Sequence, residues 1–174
     1  MTHYQLVAQN KRRSIFVIIG FVAFITLAAW LMTYAFGYDY SVVGVALIFS
    51  GITSLGSYWF SDSLVLAVSR ARPAKREEFF DFYTVAENLS MSQQLPQPKL
   101  YVIDDTAMNA FATGRDPKHA AVVATTGLLS RLDRGEVEGV IAHELSHVRN
   151  YDMLLMSIVS ILVGFLALLS DWML

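Results

Sequence analysis

The pentapeptide His143-Glu144-Leu145-Ser146-His147 has the residue types and spacing of a metal-dependent hydrolase. Side chains four apart on an α-helix lie on one face, so both imidazoles can reach a single cation. Glu144, one position after the first histidine, can reach a water bound to that cation. A helix with two histidines at this spacing can also be merely solvated or packed. At the His and Glu frequencies of this chain, a chance occurrence of the pattern is on the order of half a percent, which favours the chemical reading. The chain has no cysteine, so a metal must rely on His, Glu or Asp, and no disulfide framework is available.

The element that must hold these residues is a helix from about Arg134 to Asn150. Asp133 followed three positions later by Glu136 is an aspartate version of the capping box and marks its start. Val137, Val140, Ile141 and Ala142 supply the apolar side expected of a helix buried enough to keep bulk water from a metal.

The preceding segments read as a small mixed domain. Glu77 to Leu89 carries Phe79, Phe80, Phe82, Tyr83 and Val85 near helical spacing, an aromatic stripe that a packed core explains without a ligand. Ser90 to Pro98 is a connecting loop. Lys99 to Ile103 reads as a strand closed by the turn formers Asp104-Asp105. Ala107 to Thr113 and Ala120 to Thr125 read as two strands of a hairpin across the turn-rich Gly114 to His119, with His119 exposed to solvent. Thr126 to Leu132 reads as a short helix leading to the Asp133 cap. A sheet beside a metal-bearing helix suits a protease, because an edge strand can bind a peptide through main-chain hydrogen bonds.

Composition adds a membrane. The chain is 55% hydrophobic and 16% charged, with a mean hydropathy of +0.45. Ser14 to Phe36 and Ser41 to Phe60 are uncharged apolar runs separated by the turn Gly37-Tyr38-Asp39-Tyr40, and together they predict a two-span hairpin. The first run is too long for the apolar region of a signal peptide, and no persuasive cleavage site follows it, so it reads as a retained anchor. Lys11-Arg12-Arg13 and the Arg70, Arg72, Lys75, Arg76 cluster flank the outer ends of the hairpin, while its turn has no basic residue. The positive-inside rule then places the N-terminus and everything from Arg70 to about Tyr151 in the cytoplasm. Residues 153–174 predict a third span beginning just past the motif, which puts the site close to the membrane surface. At that boundary Arg149 and Asp152 are expected in a headgroup contact or a local salt bridge. The net charge of −2 gives no reason to expect nucleic acid as a partner. The expected class is α+β: a membrane hairpin over residues 1–69, a cytoplasmic zincin-like domain over 70–152, and the third span.

Taken together, these stretches resemble the HtpX family of integral-membrane zinc metalloproteases, relatives of the CAAX prenyl endopeptidases. The resemblance is carried by Leu95-Pro96-Gln97-Pro98-Lys99-Leu100-Tyr101-Val102, by Asn109-Ala110-Phe111-Ala112-Thr113-Gly114-Arg115, by Thr126-Gly127-Leu128-Leu129, and by Val140 to His147 with Asn150 and Asp152 following. It implies one Zn2+ per chain, His143 and His147 as its ligands, and Glu144 as the general base acting on the zinc-bound water. It also implies that Asn109, Ala110 and Phe111 bind the substrate. The implied role is degradation of misfolded or damaged membrane proteins in a bacterial or archaeal cell membrane, with polypeptides and the lipid bilayer as partners.

The family's third zinc ligand is a glutamate on a later helix, and no Glu follows Glu144 in this sequence. Asp152 and Asp171 are not expected to replace it. A catalytic zinc normally has three protein ligands plus water. The sequence therefore reads as an N-terminal fragment of an active protease. The rival expectation is a naturally short, inactive membrane protein that binds substrate or regulates an active protease.

Overall fold

The computed structural model describes residues 3–173, with side chains for residues 5–167. Leu174, at the end of the expected third span, and the side chain of Asp171 lie outside the described residues.

Helix α1 runs from His3 to Phe36, so the polar first residues continue the apolar run without a break. Gly37, at φ +71°, reverses the chain, the Asp39 carboxylate accepts a hydrogen bond from the Ser41 N–H, and α2 follows over Ser41–Trp59. The turn needs a positive φ that costs glycine nothing. These two helices are long and apolar enough to cross a membrane. Ile15, Phe16, Phe24, Ile48 and Ile52 on them are each more than half exposed, which is how lipid-facing side chains stand. The second span is expected to end at Phe60, and the structure breaks there. A new helix, α3 (Ser61–Val68), turns beneath the domain, so the apolar residues after Asp62 belong to a separate element.

The domain is a four-stranded sheet in the order β1-β2-β4-β3. Its strands are β1 (Arg72–Pro73), β2 (Lys99–Ile103), β3 (Ala110–Thr113) and β4 (Ala121–Thr125). β2 and β4 are parallel, whereas β1 pairs with β2 and β3 with β4 in antiparallel fashion. Alternation along the strands sorts the side chains into two layers. Leu100, Val102, Val122, Ala124, Ala110 and Ala112 face helices α4 (Phe80–Ser92) and α6 (Arg134–Asn150). Tyr101, Ile103, Ala121, Val123 and Phe111 face Leu66 of α3.

The basic cluster read as a topology signal is in part structural. Arg72 lies in β1 and pairs with Glu78 at 2.9 Å and Asp104 at 3.0 Å, while Arg76 pairs with Glu87 at 2.7 Å. Asp105 closes its turn by accepting from the Ala107 N–H at 2.9 Å. The strand expected from Ala107 begins only at Ala110. Before it the Thr125 hydroxyl accepts from the Asn109 N–H (3.1 Å) and donates to the Ala107 carbonyl (2.6 Å). Short helix α5 (Thr126–Arg131) starts against that turn. Gly127 has no room for a side chain there, because a Cβ would collide with the Thr106 carbonyl.

Helix α7 (Asp152–Met173) leaves α6 at 88°. It packs Leu154, Ile158 and Leu162 against Phe21 of α1, with Tyr58 and Phe165 alongside.

Candidate metal centre

Helix α6 spans the predicted residues, and its start is built locally. The Asp133 carboxylate accepts from the Glu136 N–H at 2.9 Å, and the Glu136 carboxylate accepts from the Asp133 N–H at 3.0 Å. This satisfies two donors that a helix start leaves open and fixes where the helix begins. From that start Val137, Ile141, Leu145 and Val148 fall on one side, each at most 3% exposed, in a core shared with Phe82, Val85 and Ala86 of α4. Burial of that side decides where the remaining residues point.

His143 and His147 turn their Nε2 atoms toward each other, 3.2 Å apart, with their rings nearly perpendicular at 88°. Two nitrogens each ~2.05 Å from a tetrahedral ion lie about 3.3 Å apart, so this spacing fits two imidazoles sharing one zinc-sized cation. On the far side of the second ring, His147 Nδ1 lies 2.9 Å from Asp152 Oδ2. A proton held there leaves the Nε2 lone pair free for a metal. Asp152 thus has the local partner that its boundary position allowed. It stands behind the imidazole rather than beside the cation.

Glu144 is buried between α6 and the sheet, with 8% of its surface exposed. Burial pushes its carboxyl above the ordinary range. The two histidines and a hydrogen bond from the Ala112 backbone oppose that shift. A carboxylate held this way is suited to taking up a proton.

The register of β3 identifies a residue that sequence reasoning missed, Ala112. β3 is an edge strand. The Thr125 N–H donates to the Asn109 carbonyl at 3.0 Å, so by antiparallel alternation the main-chain groups of Asn109, Phe111 and Thr113 face β4, while those of Ala110 and Ala112 face outward. Of the three predicted substrate residues, Ala110 therefore presents its main chain at the open edge. Asn109 is exposed just before the strand, and Phe111 turns its ring to the opposite layer. There Phe111 lines an apolar cleft of about 930 Å³ together with Leu64, Val68 and Met156. The sequence signal for Ala112 was the two-residue alternation from Ala110. His119 stays in its turn, paired with Asp116 at 2.8 Å.

Among the described residues no group of three His, Cys, Asp or Glu side chains is placed to hold a metal. The two imidazoles fit two positions of a zinc site, and a third protein ligand is not among those residues.

The sequence profile of Peptidase family M48 matches residues 78–171, which include β2 to β4 and all of α6. The chain is 38% identical over 173 residues to a protein named Protease HtpX homolog from Thermoanaerobacter pseudethanolicus, covering 99% of this chain and 58% of that protein. It is 40% identical to the protein of that name from Streptococcus uberis (97% and 57% covered) and 42% identical to that from Streptococcus mutans (97% and 56% covered). The chain thus spans little more than half the length of these relatives. With the H-E-x-x-H helix and the edge strand beside it inside the matched region, the chain belongs to peptidase family M48 and is similar over nearly its whole length to the proteases named HtpX homologues.

Proposed function

We propose that the chain belongs to a membrane-embedded, zinc-dependent endopeptidase that cleaves misfolded or damaged membrane proteins. The observation that carries this reading is the convergence of His143 and His147 Nε2 at 3.2 Å, on the same helix as the buried Glu144. His143 and His147 hold the zinc, and a third ligand comes from outside the described residues. Bound there, zinc supplies Lewis acidity to the scissile carbonyl and to the attacking water. Glu144 takes the proton from that water at its carboxylate and passes it to the departing amine nitrogen.

An extended substrate pairs with the outward main-chain groups of Ala110 and with the Ala112 carbonyl, flanked by Asn109 and Phe111. The apolar cleft beside Phe111 suits the apolar side chains of a membrane-protein substrate. The two long apolar helices, with α7 as a third span, support a multi-pass protein, and the basic flanks favour the cytoplasmic side for residues 70–152 as the catalytic domain.

In the full-length protein, Glu144→Gln lowers peptide cleavage by about 10²–10⁴-fold while zinc stays bound. Cleavage retained at the wild-type rate removes Glu144 from the mechanism. A full-length protein that neither binds zinc nor cleaves peptides supports the rival reading of an inactive substrate-binding or regulatory protein.

A further inference from the structure

We propose that Asp152 is a positioning residue for the metal centre. From the first turn of α7 it holds His147 so that the Nε2 lone pair meets the point that His143 also faces. The inference rests on reading the two histidines as metal ligands. It goes beyond that reading by assigning a role to a residue on the apolar helix that follows.

On one continuous helix, residues five apart sit ~140° around the axis and share no contact. His147 and Asp152 meet because the chain does not continue straight. Tyr151 takes the left-handed conformation, at φ 60° and ψ 17°, and α7 departs at 88°. The elbow folds the first turn of α7 back over the last turn of α6 and brings Asp152 Oδ2 to 2.9 Å from His147 Nδ1.

A tyrosine in this conformation persists only where its surroundings over-determine it, and α1 supplies the restraint. Asn10 donates from its side-chain amide to the Asn150 carbonyl at 3.1 Å, and the Lys11 ammonium lies 4.3 Å from the centre of the Tyr151 ring. A helix hydrogen bond and a cation over the elbow residue thus lock the bend from the membrane hairpin.

The carboxylate itself points to a role. Its second oxygen, Oδ1, is buried and makes no hydrogen bond among the described residues, so the imidazole is its hydrogen-bond partner there. Asp152 is half-buried, and taking part of a carboxylate out of water is unfavourable unless it is paired, whereas cap requirements at the start of an apolar helix are met as well by uncharged Ser or Asn. A carboxylate at this place accepts the Nδ1–H hydrogen bond and so fixes the tautomer and the orientation of the ring.

Two measurements on the chain in detergent micelles test this. The first is the imidazole ¹⁵N spectrum of the metal-free protein. In the wild type, His147 is expected with its proton on Nδ1. In Asp152→Ala it reverts to the Nε2-protonated form that a free histidine side chain prefers. The second is zinc affinity by competition with a chromophoric chelator. Asp152→Ala is expected to bind 10–100-fold more weakly, with Asp152→Asn in between because its amide oxygen can still accept the proton.

If Asp152→Ala does not fold, Asp152→Asn carries the test, since it preserves shape and helix start. Wild-type zinc affinity in the variant that folds, or His147 keeping its Nδ1 proton in Asp152→Ala, overturns the assignment. If instead His147→Ala binds zinc as the wild type does, the ligand reading fails. The tautomer measurement still decides whether Asp152 orients the ring.

Discussion

At its N-terminus α6 is closed by residues three apart in the chain, Asp133 and Glu136, whereas its C-terminus adds contacts from α1 and α7 to the local bond from the Tyr151 N–H to the Val148 carbonyl. The first end is self-contained and could be written on any soluble helix. The second draws on α1 and α7, and it is the end that carries His147. The capping box sets the phase of the helix and so decides which face each residue occupies. The elbow sets the aim of one ring. The candidate metal centre is thereby tied to α1 and α7 through its second histidine.

The two ends share the middle of the helix, and the largest expected effect lies there. Ile141→Ala, at a fully buried position, is expected to cost about 2–5 kcal/mol and to loosen both ends together. Denaturant unfolding in micelles measures it, and unfolding that leaves one end protected from amide exchange would break the view of α6 as one unit. The double substitution Asn10→Ala with Lys11→Ala removes the brace from α1 and is expected to cost about 1–2 kcal/mol. Faster amide exchange should then be confined to residues after Val148. Asp133→Ala is expected to cost about 1 kcal/mol and to fray only the first turn, leaving zinc affinity unchanged. A loss of zinc affinity here would erase the distinction between the two ends.

The smallest effect concerns Glu144. Burial raises its folded-state pKa above the unfolded value, so the folded protein holds the proton more tightly and loses stability as pH rises through that interval. The ionised carboxylate is therefore a stability cost at neutral pH. In the metal-free protein Glu144→Gln is expected to raise the thermal midpoint slightly, the pattern of a group kept for chemistry.

The same contrast explains what the sequence alone could show. The bounds of α6, its capping box, the Asp104-Asp105 turn and the β3–β4 hairpin depend on residues close in the chain, and propensity and periodicity reach that far. The strand at Arg72-Pro73 was hidden because proline reads as a breaker. It is tolerated here on an edge strand that pairs on one side only. The parallel pairing of β2 with β4 leaves no local mark, since its partners lie far apart in the chain.

The site divides along the same line. His143, Glu144 and His147 were legible as a motif. The outward main chain of Ala112 and the Asp152 carboxylate behind His147 were not, because one depends on strand register and the other on an 88° elbow. The sequence leaves Asp152 open to a headgroup contact or a local salt bridge, and the 88° elbow makes His147 its partner.

The most direct test of the account is the zinc content of the purified full-length protein against its His143→Ala/His147→Ala double variant, measured after equilibration with buffered zinc. The account predicts one zinc per full-length protein, held by both imidazoles together with a third ligand and lost in the double variant while the fold is kept. Equal zinc in both proteins would contradict it, because the two Nε2 atoms would then face each other for a reason other than a shared metal.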